Sequence, residues 1–138
     1  TFTAEFYGMT LLYFLDSVLP RDSTEKMTVL LDVRPGEGWP NPLAVFMVNF
    51  VRKLAKMLQG KFPGRLEKLI VYPVPKAALS VFHAMQWVFH AELSERIVLV
   101  PGSAERKSPL PKKHLQKYVS EEILDFTEQA RIDAFITE

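Results

Sequence analysis

Apolar and polar positions follow each other along the chain in a pattern that predicts helices and strands in turn. Three short runs rich in branched apolar residues are typical of strands buried on both faces; they fall at 27–33, within 66–74 and at 96–100. Apolar residues recur at helical spacing in five other segments; these are 3–19, 43–58, 76–93, 114–118 and 121–136. Helices between successive strands imply right-handed crossovers and a largely parallel sheet. The pattern therefore predicts a single α/β domain.

Turn-forming residues predict where several of these elements begin and end. Thr3 is the expected N-cap of the first helix, and Pro20 is expected to stop it. Gly60 is the expected C-terminal cap of the second helix. The segment 34–42 holds two glycines and three prolines, so it is predicted to be a loop.

The composition is that of a globular protein. Of the 138 residues, 48% are hydrophobic and 24% are charged, which excludes intrinsic disorder. Seventeen Lys and Arg against sixteen Asp and Glu give a net charge of +1. Because a free-standing nucleic-acid-binding domain is normally far more basic, we expect no nucleic-acid partner.

The chain contains no cysteine. Disulfides, thiolate metal sites and cysteine nucleophiles are therefore excluded, and a reducing compartment, the cytoplasm, is the expected location. The longest nearly apolar stretch, 77–89, is shorter than the ~20 residues that a membrane-spanning helix needs.

The common catalytic and phosphate-binding motifs do not occur in the sequence. The loop 34–42 has Gly36 and Gly38, but bulky Trp39 stands where a pyrophosphate would approach the backbone. No G-x-x-x-x-G-K-[ST] motif occurs, and Glu105 replaces the second glycine that a nucleophile elbow at Ser103 would need. We expect no enzymatic activity and no catalytic residues.

Two histidines on the predicted helix 76–93 are the only hint of a metal site. His83 and His90 lie seven residues apart and share one helix face near Glu92. They lack the i, i+4 spacing of the zinc-binding helix motif. We interpret them as polar positions on an otherwise apolar helix and expect no metal.

The same helix is apolar around almost its whole circumference. Such a helix is either buried on every side or faces something apolar. One interpretation is a core crossover helix that also forms a partner interface, and the other is a wall that faces lipid. A basic segment follows the third strand and could meet phosphate headgroups or simply form a solvated edge; its members are Arg106, Lys107, Lys112, Lys113, His114 and Lys117.

Six short motifs follow one another in a fixed order. The first strand ends in Leu31-Asp32-Val33, and a turn, Phe62-Pro63-Gly64-Arg65-Leu66, precedes the second strand, which ends in Val71-Tyr72-Pro73-Val74-Pro75. Phe82 then lies in the apolar helix, Arg96-Ile97 opens the third strand, and a closing segment covers 115–124. This order and spacing resemble the CRAL-TRIO family of lipid-binding domains, which includes phosphatidylinositol and α-tocopherol transfer proteins.

The resemblance covers most of residues 27–124. It implies a sheet that forms the floor of a cavity and a movable wall, the gate segment 76–93. It also implies one domain over 1–138 without the family's N-terminal helical cap and first strand, which would precede Thr1.

Several positions depart from the family pattern. In members that bind phosphoinositides, a Glu of the turn and a Lys of the gate helix take part in headgroup recognition. Gly64 and Gln86 stand at those positions in this chain, so neither charge is present. The resemblance therefore supports the family fold better than it supports phosphoinositide binding.

The resemblance implies that the protein holds a phospholipid or another small lipid, out of water, for transfer or sensing at membranes. The residues expected to bind the ligand come from the first helix, the sheet and the gate segment; they are Tyr13, Phe14, Val71, Phe82, Met85, Phe89 and Leu99. Tyr13 and Phe14 are expected opposite the gate segment. Peripheral contact with a membrane surface is expected from Trp87, Lys112 and Lys113. The alternative is a ligand-free scaffold module of the same fold that binds a protein partner.

Overall fold

The computed structural model describes residues 4–35, 44–89 and 91–136 of the chain. Each strand and helix expected from the sequence has a counterpart in the structure, and the α/β class is confirmed. In chain order the elements are helix α1 (Ala4–Val18), strand β1 (Met27–Asp32), helix α2 (Ala44–Lys61), strand β2 (Leu66–Val74), helix α3 (Lys76–Ala84), a 3₁₀ turn (Gln86–Val88), helix α4 (Ala91–Ser94), strand β3 (Ile97–Pro101), helix α5 (Lys112–Leu115) and helix α6 (Glu121–Ile136).

The three strands form a parallel sheet in the order β1-β2-β3. Leu31 of β1 and Leu99 of β3 both pair with Val71 of the central strand. β2 is buried along most of its length, which accounts for its almost continuous apolar sequence. The pairing of β2 with β3 is irregular between Val71 and Val74, where Pro73 has no N–H to donate.

Side chains that alternate along β2 divide the core between the two faces of the sheet. Val71 points into the larger cluster, which is built with helices α1 to α4. Tyr72 points to the opposite face, where it packs near Leu115 of α5 and Leu124 of α6. The domain therefore has three layers, with the sheet in the middle.

Helix α1 packs against α2, and α2 packs against α3. The inward positions of α1 are taken by Leu12 and Leu15, both buried. A Cβ at Gly8 would lie 2.5 Å from Sδ of Met57, so the glycine allows the close approach of α1 to α2. The outward face of α1 is apolar and exposed.

The prediction of one continuous helix over 76–93 is wrong. Helix α3 ends at Ala84, and Met85 leaves helical geometry with φ −102° and ψ 13°. Phe89 then adopts an extended conformation with φ −94° and ψ 133°. This break brings the ring of Phe89 to within 6.5 Å of the ring of Phe82, in a stacked arrangement. The two aromatic rings therefore pack against each other across the break in the helix.

Several predicted boundaries shift by a few residues. Gly60 does not cap α2, which includes it and ends at Lys61. Gly64 takes the positive φ of 72° in the turn that follows, a conformation that glycine adopts without steric cost. Helix α5 begins at Lys112 and not at 114. Thr3 and most of the predicted loop 34–42 lie outside the described residues.

Candidate functional site

A pocket of about 300 Å³ opens between helix α3 and strand β3. It lies on the side of the sheet that carries the larger core cluster. Strand β3, which forms part of it, pairs only with β2 among the described strands. The residues that line it come from α3, the 3₁₀ turn, α4 and β3; they are Phe82, His83, Gln86, Phe89, Ser94, Ile97 and Leu99.

Four apolar residues form part of the wall of this pocket. Phe82 is 4% exposed and stacks on Phe89 with an interplanar angle of 19°. Ile97 and Leu99 are two residues apart on β3, so their side chains point to the same face of the sheet. The stack and the two strand residues together form a surface that an apolar molecule can cover.

The polar side chains of the pocket carry few charges. His83 and Gln86 are exposed and Ser94 is half-buried, which places them toward solvent. No Lys, Arg, Asp or Glu is among the described residues that line the pocket. Its polar groups can therefore exchange hydrogen bonds with a hydroxyl or a carbonyl, and no lysine or arginine among the described lining residues is available to pair with a phosphate.

The structure brings together three of the seven predicted ligand-binding residues. Phe82, Phe89 and Leu99 line one pocket. Val71 is fully buried beside Leu99, so it supports the pocket floor without reaching its surface. Met85 is half-buried and packs against the same core cluster without lining the pocket.

Tyr13 and Phe14 do not line the pocket beside α3, and their expected role in ligand binding stays a prediction. Tyr13 is 82% exposed and Phe14 is 58% exposed. Leu12 and Leu15 occupy the inward positions of α1, which packs against α2. The two aromatic residues therefore point away from the core and do not line the pocket.

Sequence reasoning missed some residues that line the pocket. Ile97 lies two residues before Leu99 on the same strand, and the period of two along a strand would have found it. Ser94 reaches the pocket only because the chain breaks at Met85 and turns again in α4. No local signal in the sequence indicated that break.

Trp87 and the two predicted lysines lie in different layers of the molecule. Trp87 is 82% exposed. In the chain it lies between Gln86 and Phe89, which line the pocket. Lys112 and Lys113 belong to α5, which packs on the other face of the sheet. Nζ of Lys112 also forms ion pairs with Glu121 at 2.7 Å and with Asp125 at 3.0 Å, and hydrogen bonds to these carboxylates raise the pKa of Lys112.

A second polar cluster lies at the carboxyl end of β1. The Arg34 guanidinium donates hydrogen bonds to the carboxylates of Asp32 and Glu128 and to the carbonyl oxygen of Ser108. Its side chain is only 1% exposed. Burial opposes the charge, but the hydrogen bonds and charges of the two carboxylates outweigh burial and raise the pKa of Arg34. The cluster attaches α6 to the end of β1 and is structural in character.

The described residues hold no group of three His, Asp or Glu that could bind a metal ion; His90 lies outside them. Within 4–35, 44–89 and 91–136, no helix is both long and apolar enough to cross a membrane.

The order of elements, the parallel sheet and the pocket beside α3 define a mixed α/β domain with a small open pocket at one edge of its sheet. The family model for the CRAL/TRIO domain matches residues 4–127, and the chain therefore belongs to the CRAL/TRIO family. No curated protein and no solved structure matches the chain. Membership of this family indicates the binding or transfer of lipophilic ligands in general.

Proposed function

We propose that this domain binds a small, neutral lipophilic molecule in the pocket between α3 and β3. The observation that carries the proposal is the stacked pair Phe82 and Phe89, which faces Ile97 and Leu99 across a pocket of about 300 Å³. Burial of apolar surface there contributes about 25 cal/mol per Å² to binding. The pocket thus supplies affinity without any charged contact.

The size of the pocket favours a ligand with a single tail or ring system. Small-molecule sites usually enclose ~300–1,000 Å³, and this pocket is at the lower limit. A phospholipid with two acyl chains is larger than that volume. We therefore favour a small lipid over the phospholipid that the family resemblance also allows.

The polar groups of the pocket favour a neutral head. By the family resemblance, Gln86 stands at the position of a gate-helix lysine that takes part in headgroup recognition in phosphoinositide-binding members. His83, Gln86 and Ser94 remain to exchange hydrogen bonds with the ligand. A hydroxyl, aldehyde or ketone satisfies these groups better than an anion does.

We propose binding without catalysis. His83 is the one titratable residue among the described residues that line the pocket. No carboxylate lies beside it there to orient and charge its ring, as a nucleophile-activating histidine requires. The ligand would leave the pocket chemically unchanged.

Membrane contact is proposed for Trp87 alone. Trp87 is exposed and lies in the chain between Gln86 and Phe89, which line the pocket, and an exposed indole ring is stable at the level of lipid headgroups. Contact there would let a lipophilic ligand pass from bilayer to pocket without crossing water. The lysines of α5 lie on the other side of the sheet and take no part in this proposal.

A scaffold role is the second candidate function. The interior beneath the pocket is filled, since Leu54, Leu69 and Val71 are at most 1% exposed. The observation that favours a protein partner is the exposed apolar face of α1, where Phe6, Met9 and Tyr13 are all more than half exposed.

The test is a calorimetric titration of the protein with farnesol, a neutral single-chain isoprenoid alcohol. Phe89→Asp places a charge in the pocket and should weaken binding at least about tenfold. Phe126→Asp is the matched control, because Phe126 is 75% exposed on α6; farnesol affinity should not change. Circular dichroism checks that both variants are folded.

Mass spectrometry of an organic extract of the purified protein provides the second readout. A neutral lipid in stoichiometric amount supports the proposal, and a two-chain phospholipid in its place contradicts the assigned ligand class. If the folded protein contains no lipid and binds no farnesol, the binding proposal fails and the scaffold role remains.

A further inference from the structure

A second and larger groove, of about 810 Å³, lies on another part of the surface. One wall is the outer side of α1 with Met9 and Tyr13, and the floor is formed by Phe62 and Pro63 of the turn between α2 and β2. None of the residues that line the pocket beside α3 reaches this groove. The groove is therefore a separate feature.

The groove carries positive charge that nearby carboxylates do not balance. Four charged residues from the described part of the chain line the groove: Asp16, Arg21, Lys61 and Arg65. Arg21 forms an ion pair with Asp16 at 3.0 Å, so the two charges that remain are those of Lys61 and Arg65. Neither forms an ion pair with any residue in the described part of the chain. The groove thus has a net positive charge at the end where α2 meets β2.

The geometry of Arg65 reinforces this charge. Its Nε donates to the carbonyl oxygen of Glu25 at 2.8 Å, and its Nη1 donates to that of Pro20 at 2.9 Å. Nη2 is buried and has no acceptor among the described residues. These hydrogen bonds hold the guanidinium in the groove wall with its charge uncompensated, so an anionic group in the groove would be attracted to it.

An exposed apolar stripe continues from the groove along α1. Phe6, Met9 and Tyr13 are 56%, 60% and 82% exposed. Their spacing of three and four residues places them on one face of the helix. This stripe is about 10 Å long at 1.5 Å per residue, which matches two turns of a second helix.

We infer that this groove and stripe are the docking surface for an amphipathic helix of a protein partner, with acidic residues at one end of that helix. Apolar side chains at i, i+3 and i+7 of the partner would cover the α1 stripe. Its Asp or Glu residues would lie beside Lys61 and Arg65. The concave shape selects a helix over a bilayer, since a bilayer is flat and contacts convex surfaces best.

The test uses two labelled helical peptides with leucines at i, i+3 and i+7. One peptide carries glutamates at one end, and the other carries lysines at the same positions. Fluorescence anisotropy measures their affinity for the 138-residue chain. The acidic peptide should bind at least about tenfold more tightly than the basic one. Equal affinity for the two peptides overturns the inference.

Point variants locate the peptide on the surface. Tyr13→Ser and Lys61→Gln should each weaken binding of the acidic peptide by about fivefold or more. Phe126→Ser and Lys113→Gln are matched exposed controls on the other side of the sheet and should leave the affinity unchanged. Loss of affinity in the controls but not in the groove variants overturns the inference.

Two further measurements separate the alternatives. Vesicles of phosphatidylserine test for a membrane at this surface; if Tyr13→Ser and Lys61→Gln weaken vesicle binding and not peptide binding, the partner is a membrane and the inference fails. Farnesol affinity of Tyr13→Ser should equal that of the unaltered protein. The outcome at this groove is therefore independent of the proposed lipophile pocket.

Discussion

Nη2 of Arg34 and Oε2 of Glu128 lie 2.6 Å apart although the two residues are separated by 94 positions in the chain. Arg34 lies just after β1, and Glu128 lies in the middle of α6. Asp32 holds the same guanidinium from its other side, with its Oδ2 at 2.7 Å from Nη2. The terminal helix is thus attached to the sheet by a buried, charged link in addition to the apolar contact of Leu124.

Replacement of Glu128 by glutamine should weaken this link. Glu128→Gln leaves Arg34 with Asp32 but removes one charged acceptor from a buried guanidinium, and we expect a loss of about 1.5–3 kcal/mol in the free energy of unfolding. Urea denaturation followed by circular dichroism measures it. Glu122→Gln, at an exposed position of the same helix, is the control; equal losses in the two variants would show that the ion pair contributes nothing.

Ionisation of Tyr72 should destabilise the protein at high pH. Burial of the phenol, together with the charge of Asp32, raises the pKa of Tyr72 to about 12, whereas the pKa in the unfolded chain is about 10. Since the folded pKa is the higher one, the stability gained is complete below about pH 10 and is lost as the pH rises toward 12.

A Tyr72→Phe variant isolates this effect from the titration of the lysines, which both proteins share. Between about pH 9 and about pH 11, the unaltered protein should lose about 1.4 kcal/mol more unfolding free energy than Tyr72→Phe does. Urea denaturation at each pH gives both values. If the two proteins lose the same amount, the phenol does not titrate with the shifted pKa.

A side chain at Gly102 should not be tolerated. Its Cβ would lie 2.9 Å from Cβ of Pro73, and the rigid proline ring is fully buried and cannot move aside. Gly102→Ala should cost about 1–3 kcal/mol in unfolding free energy through overpacking. Thermal and urea denaturation measure this loss.

Gly60→Ala is the matched glycine control. No atom lies within 4 Å of a Cβ at Gly60, and the residue is inside α2. We expect a gain of about 0.5–1 kcal/mol, since alanine favours the helix over glycine. A loss at this position as large as that at Gly102 would refute the steric explanation.

Contact of Trp87 with a bilayer can be followed by fluorescence. The chain has two tryptophans, so a Trp39→Phe background leaves Trp87 as the single tryptophan fluorophore. Its emission should shift to shorter wavelength with phosphatidylcholine vesicles, and Trp87→Ser should lower vesicle partitioning about tenfold, or about 1.4 kcal/mol.

Lys113→Gln is the control for the membrane experiment. This residue is exposed on α5, in the layer on the other side of the sheet, and its replacement should leave partitioning unchanged. An unshifted emission from Trp87, or a larger loss from Lys113→Gln, would contradict membrane contact through Trp87.

The candidate site could be predicted from the sequence in part. The family resemblance implies a gate segment over the sheet and so brings Phe82, Phe89 and Leu99 together, and these three residues line one pocket. The direction in which Tyr13 and Phe14 point could not be predicted, because α1 is apolar on both its inner and outer faces and its periodicity does not tell which face packs on α2. Only packing decided that Leu12 and Leu15 point inward.

Most of the helices and strands, their order along the chain and the resemblance to the family can be read from the sequence. Helical and strand periods arise from backbone geometry between near neighbours, and that information is present in each short segment. The break at Met85, the placement of the α5 lysines on the other side of the sheet and the link from Arg34 to Glu128 are visible only in the folded structure. Each of these depends on contacts between residues that are distant in the chain, and the free energy of such contacts is set by how whole layers pack.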